Sequence, residues 1–499
     1  MNKKHTVFIV VASIVYVAYH LLTLTYSPLP WFDEVSFAGI TESYIKNNNF
    51  FEATRQLSWD GEKLMYGPVY FALQAAVVKT LGFSMFTFRV SGFLFGLVNL
   101  YLIYRICRHL QFKTIATVLT VTIVALDPMY NQFLHNGRMD MLTLFFFLGS
   151  YLIFVKADYN RPSYLLYGIV TGALLGAAML TNPRISFTFL FYVGYFFYEF
   201  IGKKGTVGKV LLKYVALGAT FLSLYAWWIY GKFGSLENFV AVNYTNSKLM
   251  REHIGFSLDG WKLNQSVLFY AYAVFAAVLL FKRRKEGKNA ELLLLTLPVI
   301  VGFNLLISGA VTGRYYALIA PFTTLLYIGG TVNIFESRGY KWVGFAVVGV
   351  FAALFAVKAM VIAASLDSRD KDYYSRQLAA VIPKGATAVA DFPYYYMLRQ
   401  NDNEYQCLEE NGVFPQKIKF LREKKYDFVV MSTRNVDTSL YRSDFLKDYE
   451  FVAHVVNNKQ PNGFAKAVKK LPYRIHDSYD CYVYRRILGS GHGDSLNVK

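Results

Sequence analysis

Cysteine is nearly absent from this chain, with three in 499 residues, too few for a disulfide scaffold. Charge is scarce too. Charged residues make up 17%, where a soluble globular chain carries about a quarter. That shortage excludes an ordinary water-soluble enzyme. No Cys/His spacing suited to zinc occurs, and no internal repeat is visible. Acid is scarcer than base: 33 Asp and Glu stand against 52 Lys and Arg, a formal charge of +19. A nucleic-acid partner does not follow, because the basic residues are not gathered on one soluble domain.

What the chain has instead is apolar length. Hydrophobic residues reach 55% and aromatics 18%. Long runs recur over residues 7–24, 86–104, 115–126, 141–155, 165–180, 185–201, 210–230, 267–281, 292–307, 315–334 and 343–364. Several approach the roughly 20 residues that span a bilayer, and backbone groups in hydrocarbon must be satisfied internally, so these runs read as helices. The expected fold class is a polytopic α-helical membrane protein with about 11 to 13 transmembrane helices.

Basic residues cluster in short gaps: Arg105, Arg108 and Lys113; Lys203, Lys204, Lys209 and Lys213; Lys282 to Lys288; Arg338 and Lys341. By the positive-inside rule these gaps are cytoplasmic. The N-terminus is then cytoplasmic, its first run an uncleaved signal-anchor. Outer loops fall at 25–85, 127–140 and 231–263. This scheme requires residues 67–81 not to span, and the short run carrying Gln74 and Lys79 reads as a juxtamembrane helix. Domain 1–365 is thus the membrane part, in a cell (inner) membrane.

Composition shifts near residue 366. An amphipathic helix is expected over 370–381, and strands over 386–390, 427–431, 451–456 and 482–484. Residues 366–488 read as an extracytoplasmic α/β domain, and 489–499 as a disordered tail. Cys407 and Cys481 share this region; their pairing depends on a proximity that spacing does not give.

Carboxylates are expensive near hydrocarbon, so Asp33-Glu34, just beyond the first run, stands out. The plain alternative is that Asp33 caps a surface helix beginning near Val35. A second constellation is His135-Asn136-Gly137-Arg138-Met139-Asp140. Here the plain alternative is a helix start in which Arg138 and Asp140 neutralise each other. The two acidic loops face the same side, where they form one site or share a divalent cation. Further candidates are Glu62-Lys63, with Lys63 a natural phosphate contact; Arg251 and His253 in the third outer loop; and Arg314-Tyr315. The bland role for Arg314 is snorkelling, but an outer arginine opposes the positive-inside bias.

These motifs carry a resemblance. The Asp33-Glu34 loop, Pro68-Val69-Tyr70-Phe71, the stretch Gly82 to Arg89, Asp127-Pro128 with Arg138-x-Asp140, and Arg314-Tyr315 with Pro321 resemble the polytopic GT-C glycosyltransferases. Most similar are the protein O-mannosyltransferase-like and lipid A aminoarabinose transferase-like branches. The resemblance covers residues 5–335. It implies a transferase with a polyprenyl-phosphate sugar donor and a lipid, glycan or protein acceptor, working among membrane lipids without nucleic acid. It implies that Asp33 is catalytic with Glu34 beside it, that Asp140 is the second acidic position, and that Glu62-Lys63 matches a Glu-Lys pair, here followed by Leu64-Met65 rather than prolines. No cofactor follows beyond a divalent cation that some branches use.

Chemistry agrees with the resemblance. A sugar on a lipid phosphate is already activated, so the enzyme needs a carboxylate base for the acceptor hydroxyl and cations where phosphate charge develops. Direct displacement inverts the anomeric centre. The main rival is a lipid or glycan transporter or flippase. Transporters place ionisable groups near the bilayer midplane, whereas the acidic groups here lie in outer loops. A membrane-anchored scaffold is the remaining rival, and eleven spans are excessive for anchoring.

Overall fold

A computed structural model describes residues 3–50, 66–202, 205–241, 267–306, 315–335, 341–408, 425–433, 446–457, 463–468 and 478–487. The principal helices, in chain order, are α1 (Lys3–Thr23), α2 (Phe32–Asn47), α3 (Val69–Leu81), α4 (Met85–His109), α5 (Thr114–Leu126), α6 (Pro128–Leu134), α7 (Asp140–Phe154), α8 (Tyr164–Thr181), α9 (Phe189–Ile201), α10 (Val207–Phe233), α11 (Val267–Lys282), α12 (Asn289–Leu306), α13 (Ala320–Gly330), α14 (Lys341–Ala364), α15 (Lys371–Val381) and α16 (Tyr395–Gln400). The strands are β1 (Thr387–Ala390), β2 (Glu404–Cys407), β3 (Phe428–Ser432), β4 (Tyr449–Val455) and β5 (Cys481–Arg486).

Among the described residues, α4, α8 and α10 are long and apolar enough to cross a membrane, and the pair α5–α6, bent by 61°, makes a fourth if it is one broken span. Among the shorter apolar helices, α3, with 13 residues, is well under a bilayer's length. Helix α10 leaves Val215, Leu222 and Trp227 more than 60% exposed. Such a surface is untenable in water and ordinary in lipid.

The chain divides into two compact units. One comprises residues 63–74 and 90–356. Its tightest helix contact, α8 on α10, follows from glycine spacing. A Cβ on Gly168 would stand 2.6 Å from the Lys213 carbonyl oxygen, and one on Gly172 would stand 2.3 Å from that of Leu217. With Gly176, which meets the Leu224 side chain, they form a stripe at four-residue intervals, and at Gly168 and Gly172 the backbones meet without side chains between them. Charges that enter the helices are paired: buried Lys213 reaches Glu199 at 2.7 Å, and buried Glu291 accepts from Lys288 at 2.8 Å and contacts His109.

The other unit comprises residues 1–62, 75–89 and 357–499. Its sheet has the order β2-β1-β3-β5-β4. Strand β1 pairs in parallel with β2 and β3, while β5 runs antiparallel to β3 and β4. Helix α15 matches the amphipathic segment, with Asp370 as N-cap accepting from Tyr373 N–H at 3.0 Å. One sheet face packs Ala388, Ala390, Phe428, Val430 and Val483 against Tyr374, Leu378 and Tyr394 to Leu398. Val35 and Ala38 of α2 join the same core, so the first loop's helix and the C-terminal sheet fold together. Cys407 on β2 and Cys481 on β5 are separated by β1 and β3. Three strand spacings of about 4.8 Å exceed the reach of a disulfide.

Candidate functional site

The two acidic loops fall in different units and are described one at a time.

In the first, α2 begins at Phe32 with Trp31 as N-cap, three residues before the expected Val35. Asp33 is therefore not the cap. It stands in the first turn, where the helix dipole favours an anion, and its side chain is only half-buried. Glu34, the next residue, points elsewhere and is fully buried. Arg89 donates Nε–H to Glu34 Oε1 at 2.7 Å and Nη2–H to Oε2 at 2.8 Å. Its Nη1–H reaches the Leu24 carbonyl at 2.9 Å, and the Tyr396 hydroxyl donates to Glu34 Oε1 at 3.4 Å. Both Glu34 oxygens are thus committed inside the protein. One turn beyond Ala38, Glu42 meets Arg399 through Nε at 3.1 Å and a second, short contact, and Lys46 at 2.7 Å. Burial pushes the Glu42 carboxyl up, but the Arg399 and Lys46 cations outweigh it and hold it below the usual carboxylate range.

In the second unit, Asp127 caps α6 by accepting from the Met129 and Tyr130 N–H groups at 2.9 and 2.8 Å, with Pro128 at the first helical position. The short helix ends at Leu134 and delivers His135 to Asp140 as a turn before α7. That turn is pinned. The Tyr70 hydroxyl donates to the Gly137 carbonyl at 2.6 Å, and Gln74 Nε2–H supports Tyr70 at 2.9 Å. Arg138 Nε–H donates to Asp140 Oδ2 at 2.7 Å, with both side chains buried.

A second arginine joins it. Gly67 lies against the end of α8 so closely that a Cβ there would stand 2.4 Å from the Leu180 carbonyl oxygen. Tyr66 is thereby set beside the turn after α8, where the Asn182 side chain accepts from the Arg184 N–H at 3.1 Å. Arg184 Nη1–H donates to the Tyr66 hydroxyl at 2.7 Å, and its guanidinium carbon lies 4.4 Å from the Tyr315 ring centroid. Arg138 lies 5.4 Å from the same centroid. Tyr315 is buried and so carries two cations, each in cation–π range. Among the described residues Arg184 has no ion-pair partner, and Asp140 Oδ1 and both polar atoms of the Asn136 side chain have no hydrogen-bond partner. Two guanidiniums fixed on one ring offer the planar donors that suit an anion.

Sequence reading singled out Arg138, Asp140 and Tyr315, and the structure brings these three together. It gave no role of their own to Arg184, Tyr66 and Arg89. Arg184 carried the same signal as Arg314, an arginine against the positive-inside bias; Arg89 was a charge in an apolar run. Glu62, Lys63, Arg251, His253 and Arg314 lie outside the described residues. Among the described residues, no three His, Cys, Asp or Glu side chains are grouped to hold a metal ion.

Comparison with known proteins bears on the fold. Residues 66–230 match the family model of dolichyl-phosphate-mannose-protein mannosyltransferase. No curated protein matches the sequence. Among solved structures, ArnT from Cupriavidus metallidurans in the apo state is 14% identical with TM-score 0.61, covering 97% of this chain and 99% of that one. The same protein bound to undecaprenyl phosphate gives 13% and 0.58 over the same shares. The Archaeoglobus fulgidus oligosaccharyltransferase complex with Zn and sulfate gives 12% and 0.50, covering 84% of this chain and 67% of that one. By its fold the chain is similar to these membrane-protein structures, and over residues 66–230 it matches the mannosyltransferase family model.

Proposed function

We propose that this chain transfers a sugar from a polyprenyl-phosphate donor to an acceptor outside the cytoplasm, inverting the anomeric centre. The observation that carries the reading is the convergence of Arg138 and Arg184 on Tyr315, with Asp140 held by Arg138. A lipid phosphate is an anion at a membrane surface, and fixed guanidiniums stabilise the charge it gains as the sugar leaves. That ArnT binds undecaprenyl phosphate on the same fold supports this ligand class. The complete membrane part is proposed to make eleven spans with a cytoplasmic N-terminus, in the inner membrane.

Roles follow from the surroundings of each side chain. Asp33, half-exposed, is the base that takes the acceptor hydroxyl proton. Glu34, closed onto Arg89, positions the start of α2 and so holds Asp33 in place. Arg138 and Arg184 bind phosphate, with Lys63, Arg251 and Arg314 as further contacts and Glu62 and His253 as polar neighbours of the substrate. Asp140 fixes Arg138 through Oδ2 and keeps Oδ1 for a ligand.

The test is transfer from radiolabelled polyprenyl-phosphate sugars to a membrane extract by purified protein in detergent. Asp33→Asn is expected to lose about 10²- to 10⁴-fold in turnover, the usual worth of a positioned base, with unchanged melting. Equal transfer by both proteins removes Asp33 from the mechanism. No transfer from any donor by the wild type, with lipid movement in liposomes, favours the flippase reading.

A further inference from the structure

Among the described residues, Asn136 is a buried side chain of the second cluster whose polar atoms are all idle. It is fully buried, and neither its Oδ1 nor its Nδ2 has a hydrogen-bond partner. Four residues on, Asp140 Oδ1 is idle as well, although Oδ2 of the same carboxylate is held by Arg138. Buried polar atoms are nearly always satisfied, and each exception calls for a reason.

A loose turn is not the reason, because the backbone around Asn136 is fixed on several sides. A Cβ on Gly92 of α4 would stand 3.1 Å from the Asn136 carbonyl oxygen, so the turn rests closely on that helix face. Tyr130 donates its hydroxyl to the Gly96 carbonyl at 2.8 Å. Tyr70 holds Gly137, and Asn99 Nδ2–H holds the Met141 carbonyl at 2.8 Å. The groups that hold the turn, the Tyr70 and Tyr130 hydroxyls and Asn99 Nδ2–H, are spent on backbone carbonyls. A carboxamide offers two donors and an acceptor side by side. Together with an idle carboxylate oxygen, it suits a group that both gives and receives a proton, which is the chemistry of a sugar hydroxyl.

We propose that Asn136, with Asp140 Oδ1, recognises a hydroxyl of the transferred sugar or of a sugar acceptor. The inference deepens the glycosyl-transfer reading and rests on it. In the unliganded protein these atoms are enclosed, so the ligand enters as the surrounding packing opens. The hydrogen bonds left unmade in the free state then favour the open, occupied one. An apolar side chain of similar size is tolerated better by the free protein and worse by the complex, because replacing an unsatisfied buried polar group relieves a desolvation cost.

The experiment compares wild type with Asn136→Leu, and with Asn136→Gln as a second variant that keeps the carboxamide. Melting in detergent is measured with and without donor, and kcat/KM is measured with polyprenyl-phosphate sugars and their singly deoxygenated analogues. The expected result is that Asn136→Leu melts at or above the wild type, shows a smaller donor- or acceptor-induced rise, and loses roughly ten- to hundredfold in kcat/KM, the factor one hydrogen-bonded group is worth. At one hydroxyl position the wild type prefers the hydroxylated substrate and the Leu variant does not. If that position is on the donor, Asn136 reads the transferred sugar; if only the acceptor series responds, it reads the acceptor. The inference is overturned if Asn136→Leu keeps the wild-type preference at every position, or if it melts lower and loses activity only in proportion to folded protein, with Asn136→Gln behaving the same. Failure of the wild type to transfer any sugar would strike the functional reading itself, a different result from transfer that ignores Asn136.

Discussion

Removing either member of the Glu34–Arg89 pair should destabilise the unit built from the N-terminal helices and the C-terminal sheet far more than removing both. Each side chain is 0% exposed. The two parallel hydrogen bonds, 2.7 and 2.8 Å, make a fork-on-fork contact, and the third arm of Arg89 ties it to the Leu24 carbonyl at the end of α1. Arg89→Met leaves a carboxylate without its counter-ion and Glu34→Leu leaves a guanidinium without one, and breaking one side of a buried pair costs about 3–5 kcal/mol. In the double variant Glu34→Leu/Arg89→Met no buried charge remains, and apolar replacement of a buried pair is often close to neutral. The four proteins form a cycle with an expected coupling of about 3 kcal/mol or more. Unfolding by denaturant titration in detergent measures it, and transfer activity measured beside it separates the two acids. Glu34→Leu should lose activity together with folded protein, whereas Asp33→Asn should lose activity alone. Single variants within about 0.5 kcal/mol of wild type would refute the reasoning, as would a double variant no better than the worse single one.

Two further outcomes follow from geometry. Gly67→Ala places a methyl group 2.4 Å from the Leu180 carbonyl oxygen and 2.7 Å from its Cα; backbone cannot step aside as a side chain can, so about 1–3 kcal/mol of overpacking is expected, and the displaced Tyr66 should weaken donor binding, seen as a raised KM. Glu42 gives a pH dependence. Its carboxyl is held low in the folded state, so its contribution is present above the unfolded value near 4.3 and is lost as pH falls through the lower folded value. The melting difference between wild type and Glu42→Gln should be largest at pH 7 and shrink in acid; a difference independent of pH would show that the Arg399 pair contributes nothing.

How far the sequence could be read depended on whether a residue's meaning lay near it in the chain. Apolar length announced a membrane protein, and four of the five strands showed their alternation or β-branched runs. Strand β2, four residues of Glu-Tyr-Gln-Cys, has too little pattern to be seen without the β1 register that stabilises it. The acid pair shows the limit most clearly. Asp33 and Glu34 are neighbours with the same chemistry, and a helix turns about 100° between them. Which one faces the interior is decided by Arg89, 55 positions away, and by Tyr396, 362 positions away. No local rule contains that information. Arg184 was hidden for the opposite reason. Its signal, an arginine that the positive-inside reading puts on the disfavoured side, was fully local, but its sharing of the Tyr315 ring with Arg138 was not. A lone outer arginine is most simply a snorkelling residue. Two arginines on one buried ring, one of them held by Asp140, are a property of the fold and of no single residue.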